Sequence, residues 1–328
     1  MTSPKRWLPL GGFAILLALG CSNAGADLGF TPTGFGQVIG FVYVDRDGSL
    51  DPTGGADTTL AGIRVGLVAG TTDTVVSALT DATGNVIFNN VPFGDYTLVV
   101  DSNTVGDSLV VQAIDSSGVT LRANDAQQTV IARLGFPSVT IAAARALPPG
   151  SRILVRGLVL ARLGAYGDTT AHIVQSGVAI RLTNGVHGGP ATAPGDSVRV
   201  VGTTATRNGQ PVLDNAVIYA FQFATSAPAA TPLSTLLANG ADGGVQDAAL
   251  IQITGALISD TLTVGSDYQV TVDDGSGPLV ILLDGDVLFQ RGLFDIGSSV
   301  TGQGILVPAA GGGTWVFKPR SQADVTIS

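Results

Sequence analysis

The chain has 328 residues, including 45 Gly, 16 Pro and 25 Asp but no Glu, and its net charge is −9. Because Glu favours helices whereas Asp, Gly and Pro do not, this composition excludes a mainly helical protein. A single Cys excludes a disulfide framework and a Cys-rich zinc site, and two His leave little room for a His-based metal cluster.

The N-terminus has the pattern of a secretory signal. Two basic residues precede the apolar stretch Leu8–Gly20, which is shorter than the roughly 20 residues of a membrane-spanning helix and fits a signal peptide. The stretch runs directly into Cys21, the only cysteine, and this A-L-G-C ending resembles a bacterial lipoprotein signal. The resemblance implies acylation of Cys21 and a lipid anchor in the bacterial cell envelope, with Ser22 favouring the outer membrane. The alternative is an ordinary signal peptide with an incidental cysteine. We assign residues 1–21 to the signal and 22–36 to a tether.

From residue 37 onward, apolar and β-branched residues alternate with polar ones, and turn pairs such as Asp47-Gly48 separate the runs. This period of two predicts strands, and it predicts them in the first module over Gln37–Val44, Ile63–Val68, Asn85–Phe88, Tyr96–Val100 and Leu109–Ala113. Short helices are predicted only at Ile141–Ala146 and Leu233–Ala238. The fold class is therefore all-β.

The first module, residues 37–135, carries a T-D-x-x-G-x-x-x-F run from Thr80 to Phe88, followed by V-P-x-G-x-Y from Val91 to Tyr96. These motifs resemble the B-type repeats of serine-aspartate surface adhesins and the related carboxypeptidase-regulatory-like domains. The resemblance implies a transthyretin-like Greek-key sandwich.

An Asp-rich turn lies in this module. Asp45, Asp47, Asp51 and Asp57 bring hard oxygen ligands together in a short segment, and Ca²⁺ takes six to eight such oxygens in irregular loops. The segment is not an EF-hand, because no bidentate Glu closes it. The other interpretation is a turn in which Asp side chains bond their own backbone. No other cofactor is expected.

The second and third modules, residues 137–224 and 231–328, are similar to each other. Corresponding glycines are spaced about 100 residues apart, at the pairs Gly157/Gly255 and Gly195/Gly297, and a period of this length indicates tandem domains. Their turn-rich G-D-x-V-x-V-x-G patterns are similar to the OB-fold modules appended to bacterial extracellular nucleases and envelope lipoproteins. The resemblance implies two OB-like β-barrels, in which the face of strands 2 and 3 often binds oligomers.

No catalytic constellation is predicted, so we expect a protein that is not an enzyme. Gly195-Asp196-Ser197 is not a nucleophile elbow, because Arg199 stands where the motif needs Gly. The adjacent Asp273 and Asp274 fit a turn, and His172 and His187 fit structural positions. One basic-aromatic cluster stands out near the C-terminus, and a core-facing final strand is the favoured explanation of it; its members are Trp315, Phe317, Lys318 and Arg320.

Two function classes follow. The first is a non-catalytic cell-envelope lipoprotein that acts as a surface-anchored structural or interaction module, with the membrane as a partner through Cys21 and an envelope protein or glycan as the other. The alternative is an oligosaccharide- or oligonucleotide-binding module that uses an OB-fold face. Because the chain is acidic, nucleic acid is not an expected partner. Burial of Tyr166, Tyr268 and Trp315 would favour the structural class.

Overall fold

The computed structural model describes residues 34–53, 56–71, 73–106, 109–114, 118–223 and 227–328. The predicted signal, Cys21 and nearly all of the tether lie outside these ranges. The described part is all-β, as predicted, and its only α-helices are short. No helix within these ranges is both long and apolar enough to cross a lipid bilayer.

Two sheets packed face to face form the N-terminal sandwich. Its strands are β1 Phe35–Asp45, β2 Thr58–Thr59, β3 Arg64–Ala69, β4 Asp73–Leu79, β5 Asn85–Pro92, β6 Gly94–Val100, β7 Val110–Ile114, β8 Val119–Leu121 and β9 Gln127–Gly135. One sheet has the order β2-β1-β9-β7 with β5 also paired to β1, and the other has the order β4-β3-β6-β8. Alternate residues of both sheets point inward, so that Val42, Phe88 and Leu98 fill a common core.

The next segment forms a closed barrel, called barrel 1 below. Its elements are α1 Ile141–Ala146, β10 Arg152–Ala161, β11 Ala171–Gln175, β12 Val178–Leu182, β13 Val186–His187, β14 Ser197–Arg207 and β15 Gln210–Gln222. The order β12-β11-β10-β14-β15 is closed by a parallel pairing of β12 with β15. Helix α1 has the predicted bounds, because Thr140 caps it by accepting from the Ala143 backbone N–H.

The C-terminal segment repeats this arrangement as barrel 2. Its elements are β16 Thr231–Pro232, α2 Thr235–Asn239, β17 Leu250–Val264, β18 Asp267–Asp273, β19 Pro278–Leu283, β20 Ser299–Pro308, β21 Trp315–Lys318 and β22 Val325–Ile327. The order β17-β18-β19-β21-β20 closes through β17 and β20, and β19 runs parallel to β21. Helix α2 begins two residues later than predicted, since Ser234 is its N-cap and accepts from Leu237.

Both barrels share the five-stranded topology of an OB-fold. In each, the first long strand pairs with the second and the fourth, and the third runs beside the fifth in parallel. A glycine in each fourth strand permits close approach to the fifth. A Cβ on Gly202 would lie 2.9 Å from the Leu213 Cβ, and one on Gly304 would lie 2.9 Å from the Lys318 carbonyl. The repeat of glycines seen in the sequence therefore marks equivalent crossings of the two barrels.

Candidate functional site

The Asp-rich turn joins β1 to β2 and brings three of the four predicted carboxylates together. Asp45 ends β1, Asp57 immediately precedes β2, and Asp47 lies in the turn between them, where Gly48 has a φ of +69°. One carboxylate oxygen from each of the three Asp residues lies within 4.8 Å of the other two. The β1–β2 pairing, which places Val44 opposite Thr58, fixes both ends of this loop.

Asp51, the fourth predicted ligand, does not join the group. Its carboxylate accepts from the Thr53 backbone N–H at 2.9 Å and from the Thr53 hydroxyl at 2.7 Å. This is the local turn bonding that short acidic side chains make in loops. The sequence spacing alone could not separate Asp51 from the other three, because the direction of a turn side chain depends on the local backbone.

Burial makes the three-carboxylate group costly without a cation. Asp45 has no exposed surface, and its Oδ1, like the Oδ2 of Asp57, has no hydrogen-bond partner among the described residues. The nearest cation is Arg133, whose Nε lies 3.9 Å from Asp45. Burial raises the pKa of Asp45, and burial followed by the charges of Asp47 and Asp45 raises the pKa of Asp57 to about 6. Unmatched, converging oxygen atoms are the donor set that a hard divalent cation prefers.

The face formed by strands 2 and 3 of barrel 1, which the OB-fold resemblance singled out for ligands, is covered by barrel 2. Its outward residues are His172, Val174, Ala179 and Arg181 on β11 and β12. Val174 and Ala179 pack into the core cluster of barrel 2, and His172 is 1% exposed. This face therefore serves as an interface within the molecule.

The equivalent face of barrel 2, on β18 and β19, is partly exposed and continues onto β17; its outward residues are the half-buried Gln269, Thr271, Val280 and Leu282. The pairing of β17 with β18 places Leu257 opposite Asp273 and Leu262 opposite Gln269 on the outer surface. Leu257 and Leu262 are each more than half exposed. This outer surface therefore combines aliphatic side chains with carboxylates and amides.

A groove of about 470 Å³ runs beside barrel 1, between β10, the β11–β12 turn and the segment that leads into barrel 2. Its floor is apolar, and Arg156, Ser197 and Gln246 add polar groups at its walls. Phe221, 42% exposed, forms one wall. The groove is therefore an open, partly apolar site with cationic and aromatic groups at its edge, of the kind that accepts ligands.

Two arginines and this phenylalanine form a basic-aromatic group at the groove. Arg156 and Arg199 are directly opposite each other on β10 and β14, and the Arg199 guanidinium stacks over the Phe221 ring at 4.4 Å from its centroid. No carboxylate of the described residues lies within ion-pair distance of either guanidinium. Burial, and then the charge of Arg156, lowers the pKa of Arg199. Arg199 lies behind the groove wall, where its Nη1 donates to the Asp47 carbonyl at 3.4 Å and the charges of Asp47 and Asp45 oppose the lowering of its pKa. Arg156, which lines the groove, is therefore the cation that an anionic partner would meet.

The basic-aromatic cluster predicted near the C-terminus is structural. Phe317 is fully buried, and the Trp315 Nε1 donates to Asp247 at 2.7 Å. Each cation of the cluster is matched by a carboxylate, in the pairs Lys318–Asp284 and Arg320–Asp324. The core-facing interpretation of this strand is therefore the correct one.

The other aromatic and histidine predictions have mixed outcomes. Tyr166 is 3% exposed, whereas Tyr268 and Trp315 are only partly buried against the core of barrel 2. His172 lies in β11 and His187 in β13, and no group of three metal-ligating side chains in the described ranges contains either one.

The group of Arg156, Arg199 and Phe221 was not predicted from the sequence, because 65 residues separate its ends and only the closure of the barrel brings them together. The signal available in the sequence was an arginine at a polar position of each of the two predicted strands, Arg156 and Arg199.

Comparison with known proteins gives no family. No family model matches the chain, and no curated protein matches it. Similar solved structures include a chain of the S. pombe Stn1–Ten1 complex, at 20% identity and a TM-score of 0.19, which covers 24% of this chain and 57% of that one. They also include the Ifi202 HINa domain in complex with 20-bp double-stranded DNA, at 10% identity and a TM-score of 0.27 over 53% of this chain and 94% of the other. A murine DNA-binding protein bound to double-stranded DNA has 8% identity and a TM-score of 0.28, over the same shares.

This chain thus spans a little over half the length of the Stn1–Ten1 chain. Similarity at this level carries no argument about what this chain binds. The OB-like topology stated above is read from the strand pairings of the chain itself.

One expectation from the sequence is nevertheless wrong. The acidic composition led us to set nucleic acid aside as a partner; that exclusion does not hold, and two of the similar solved structures are complexes with DNA. The physical reason is that a net charge of −9 averages over the whole surface. Binding depends on the local field, and Arg156 with Arg199 makes the wall of the groove locally basic.

Proposed function

We propose that the chain is a non-catalytic binding module that takes a single-stranded oligonucleotide in the groove beside barrel 1. The observation that supports this most directly is the Arg199–Phe221 stack with Arg156 beside it and no carboxylate partner. Proteins that hold single strands combine a cationic groove for the phosphates with aromatic rings on which bases stack. Arg156 in the groove wall supplies the first element here, with Arg199 opposite it on β14, and the half-exposed ring of Phe221 supplies the second.

The experiment measures binding of a fluorescein-labelled 12-nucleotide single strand to the purified protein by fluorescence anisotropy over a series of salt concentrations. Phe221→Ala should weaken binding roughly 5- to 100-fold, since one base–aromatic stack is worth about 1–3 kcal/mol. Arg156→Gln should weaken binding and reduce the slope of log affinity against log salt by about 0.7, because one phosphate contact is lost.

Matched controls lie on the sandwich. Phe35 is 60% exposed there, and Arg122 is a surface arginine paired with Asp95, so Phe35→Ala and Arg122→Gln should leave binding unchanged. Affinity that is absent, or that does not respond to Arg156→Gln and Phe221→Ala, would contradict the proposal. Binding of a neutral oligosaccharide in place of the oligonucleotide would also contradict it.

We further propose that Asp45, Asp47 and Asp57 hold Ca²⁺ in the sandwich. The support is the convergence of their oxygens within 4.8 Å, together with the buried and unmatched Oδ1 of Asp45. The ion would neutralise the loop and tie the end of β1 to the start of β2. Backbone carbonyls and water would complete the six to eight oxygens that Ca²⁺ requires.

We also propose that the protein is anchored in the bacterial cell envelope through a lipid on Cys21, with the sandwich as an adhesin B-type module next to the anchor. The support is the sequence pattern alone. Metabolic labelling with a radioactive fatty acid tests it: the wild type should be labelled and retained with membranes, and Cys21→Ser should be unlabelled. Labelling that persists in Cys21→Ser would overturn the anchor.

A further inference from the structure

A small cavity lies between the two barrels, on the covered face of barrel 1. It has a volume of about 50 Å³ and is lined by Tyr166, Thr170, His172, Arg181, Val307, Pro308 and Lys318. A cavity needs about 10–15 Å³ to hold one water molecule. This cavity therefore has room for one small ion with water and excludes any oligomer. It is separate from the groove, with which it shares no lining residue.

The polar atoms of this cavity are buried and unmatched. Both ring nitrogens of His172, a residue only 1% exposed, have no hydrogen-bond partner among the described residues, and the same holds for the Nε of Arg181. His172 and Arg181 face each other as cross-strand partners on β11 and β12. Buried polar atoms of this kind cost free energy unless something fills their hydrogen bonds.

Two cations and two carboxylates surround the cavity, and the Arg181 guanidinium is the cation among them without an ion-pair partner in the described residues. Lys318 contributes a second cation, whose Nζ lies 2.6 Å from Asp284 and 4.1 Å from the centroid of the Tyr166 ring. The Asp168 carboxylate accepts hydrogen bonds from the backbone N–H and the hydroxyl of Thr170 at the edge of the cavity. Asp284 matches Lys318, but no described carboxylate forms an ion pair with Arg181.

The tyrosine hydroxyl does not supply the missing acceptor. It donates to the Lys318 carbonyl at 3.1 Å and so is directed toward the backbone of barrel 2. Burial, followed by the charges of Arg181 and Lys318, lowers the pKa of His172 to about 3, which keeps the ring neutral with one N–H to donate. The cavity therefore offers buried N–H donors, on the His172 ring and on the Arg181 guanidinium, to whatever occupies it.

We propose that this cavity between the barrels is a binding site for a small monovalent anion of the size of chloride, held by the Arg181 Nε–H and one His172 ring N–H. The anion completes the hydrogen bonds of buried donors and balances the arginine charge at the interface. It is thus a structural ligand that joins barrel 1 to barrel 2, independent of the oligonucleotide in the groove.

Bromide, a heavier halide, is the probe. Crystals of the protein grown in sodium bromide, with data collected at the bromine absorption edge, should show an anomalous peak between His172 and Arg181. In solution, the melting temperature of the wild type should rise with bromide or chloride relative to gluconate at equal ionic strength, because gluconate is too large for the cavity. Arg181→Gln should remove this halide-dependent rise, and Arg122→Gln on the sandwich should retain it.

If Arg181→Gln does not fold, the anomalous map of the wild type decides alone. A cavity that holds only water in that map would overturn the proposal. The same conclusion would follow if halide and gluconate gave equal melting temperatures, or if Arg181→Gln kept the full response to halide.

Discussion

Asp45 illustrates how much a single side chain can reveal about a site. The sequence identified it through the spacing of four aspartates, and the structure adds that it is fully buried with an unmatched oxygen. Its neighbour Asp51, equally suggestive in the sequence, instead bonds to Thr53. The composition of a turn can therefore be predicted from residue types, whereas the direction of each carboxylate depends on backbone torsions such as those at Gly48.

The first prediction concerns these carboxylates. Adding Ca²⁺ to EDTA-treated protein should raise the melting temperature of the sandwich, because an ion that binds only the folded state stabilises it by about 2.7 kcal/mol at 100 times its Kd. Asp45→Asn should abolish this response, and Asp51→Asn, which changes a carboxylate outside the group, should keep it. Differential scanning calorimetry measures both. A melting temperature unaffected by EDTA and by excess Ca²⁺ would show that the loop is only a turn.

The second prediction concerns His172 and pH. The pKa of this buried imidazole in the folded protein, about 3, lies below its ordinary value of about 6.5. The unfolded chain therefore binds more protons than the folded one between these values. In halide-free buffer, the stability conferred by a neutral His172 should be complete above about pH 6.5 and should fall steadily toward pH 3.

Urea unfolding at a series of pH values tests this. His172→Gln, which cannot take up a proton, should flatten the acid limb, and His187→Gln serves as the control because His187 lies on β13, outside the cavity. An acid limb of the same slope in wild type and His172→Gln would refute it.

The strands and helices were largely predictable from local pattern, because alternation and capping are local properties. Helix α1 and strands β1, β3, β5, β6 and β7 follow the predicted runs, while β2, β4, β8 and β9 were not among them. Strand β4 gives a weak pattern because Asp73–Leu79 lies on a sheet edge and has no fully buried residue. The tandem repeat was visible through its glycines, and at Gly157, Gly202 and Gly304 two strands approach each other closely. Gly202 is one such position, with the Leu213 Cβ only 2.9 Å from where a side chain would begin.

The third prediction tests that close approach. Gly202→Ala should destabilise the protein by roughly 1–3 kcal/mol, because an added methyl group must displace Leu213 or bend β14. Gly189→Ala, at a glycine with open space around it, should change stability by less than about 0.5 kcal/mol. Chemical denaturation of the two variants beside the wild type gives the comparison. Equal stabilities would mean that β14 and β15 adjust freely at this crossing.

At the scale of the whole molecule, Asp247 connects the two barrels. It is 3% exposed and accepts from Arg145 at 3.1 Å, from Gln210 at 2.8 Å and from Trp315 at 2.7 Å. Arg145 also donates to the Ala179 carbonyl at 2.8 Å. None of this was predictable from the sequence, because the contacts join residues about 35 to 100 positions apart and arise only after each barrel has closed.

The fourth prediction concerns this carboxylate. Asp247→Ala should cost about 3–5 kcal/mol, because it leaves Arg145 and two neutral donors buried without their acceptor. Trp315 reports the change directly, since the chain has two tryptophans and Trp7 belongs to the predicted signal. Its fluorescence should shift to the red, and guanidinium unfolding should begin earlier. Asp295→Ala at an exposed position is the control, and an unfolding curve for Asp247→Ala that matches it would contradict the role of Asp247.

The two barrels meet head to tail. Barrel 1 contributes the face of β11 and β12 to the contact, whereas the equivalent face of barrel 2, on β18 and β19, stays partly exposed. An association of this kind has no twofold symmetry and does not close on itself. Corresponding positions of the two copies consequently experience different surroundings. His172 and Arg181 face residues of the neighbouring barrel, whereas Gln269 and Thr271 are partly exposed to solvent. We therefore expect the sequences of the two barrels to differ most on the face of their second and third strands. The glycines at the strand crossings, Gly202 and Gly304, have the same role in both barrels and keep the repeat visible in the sequence.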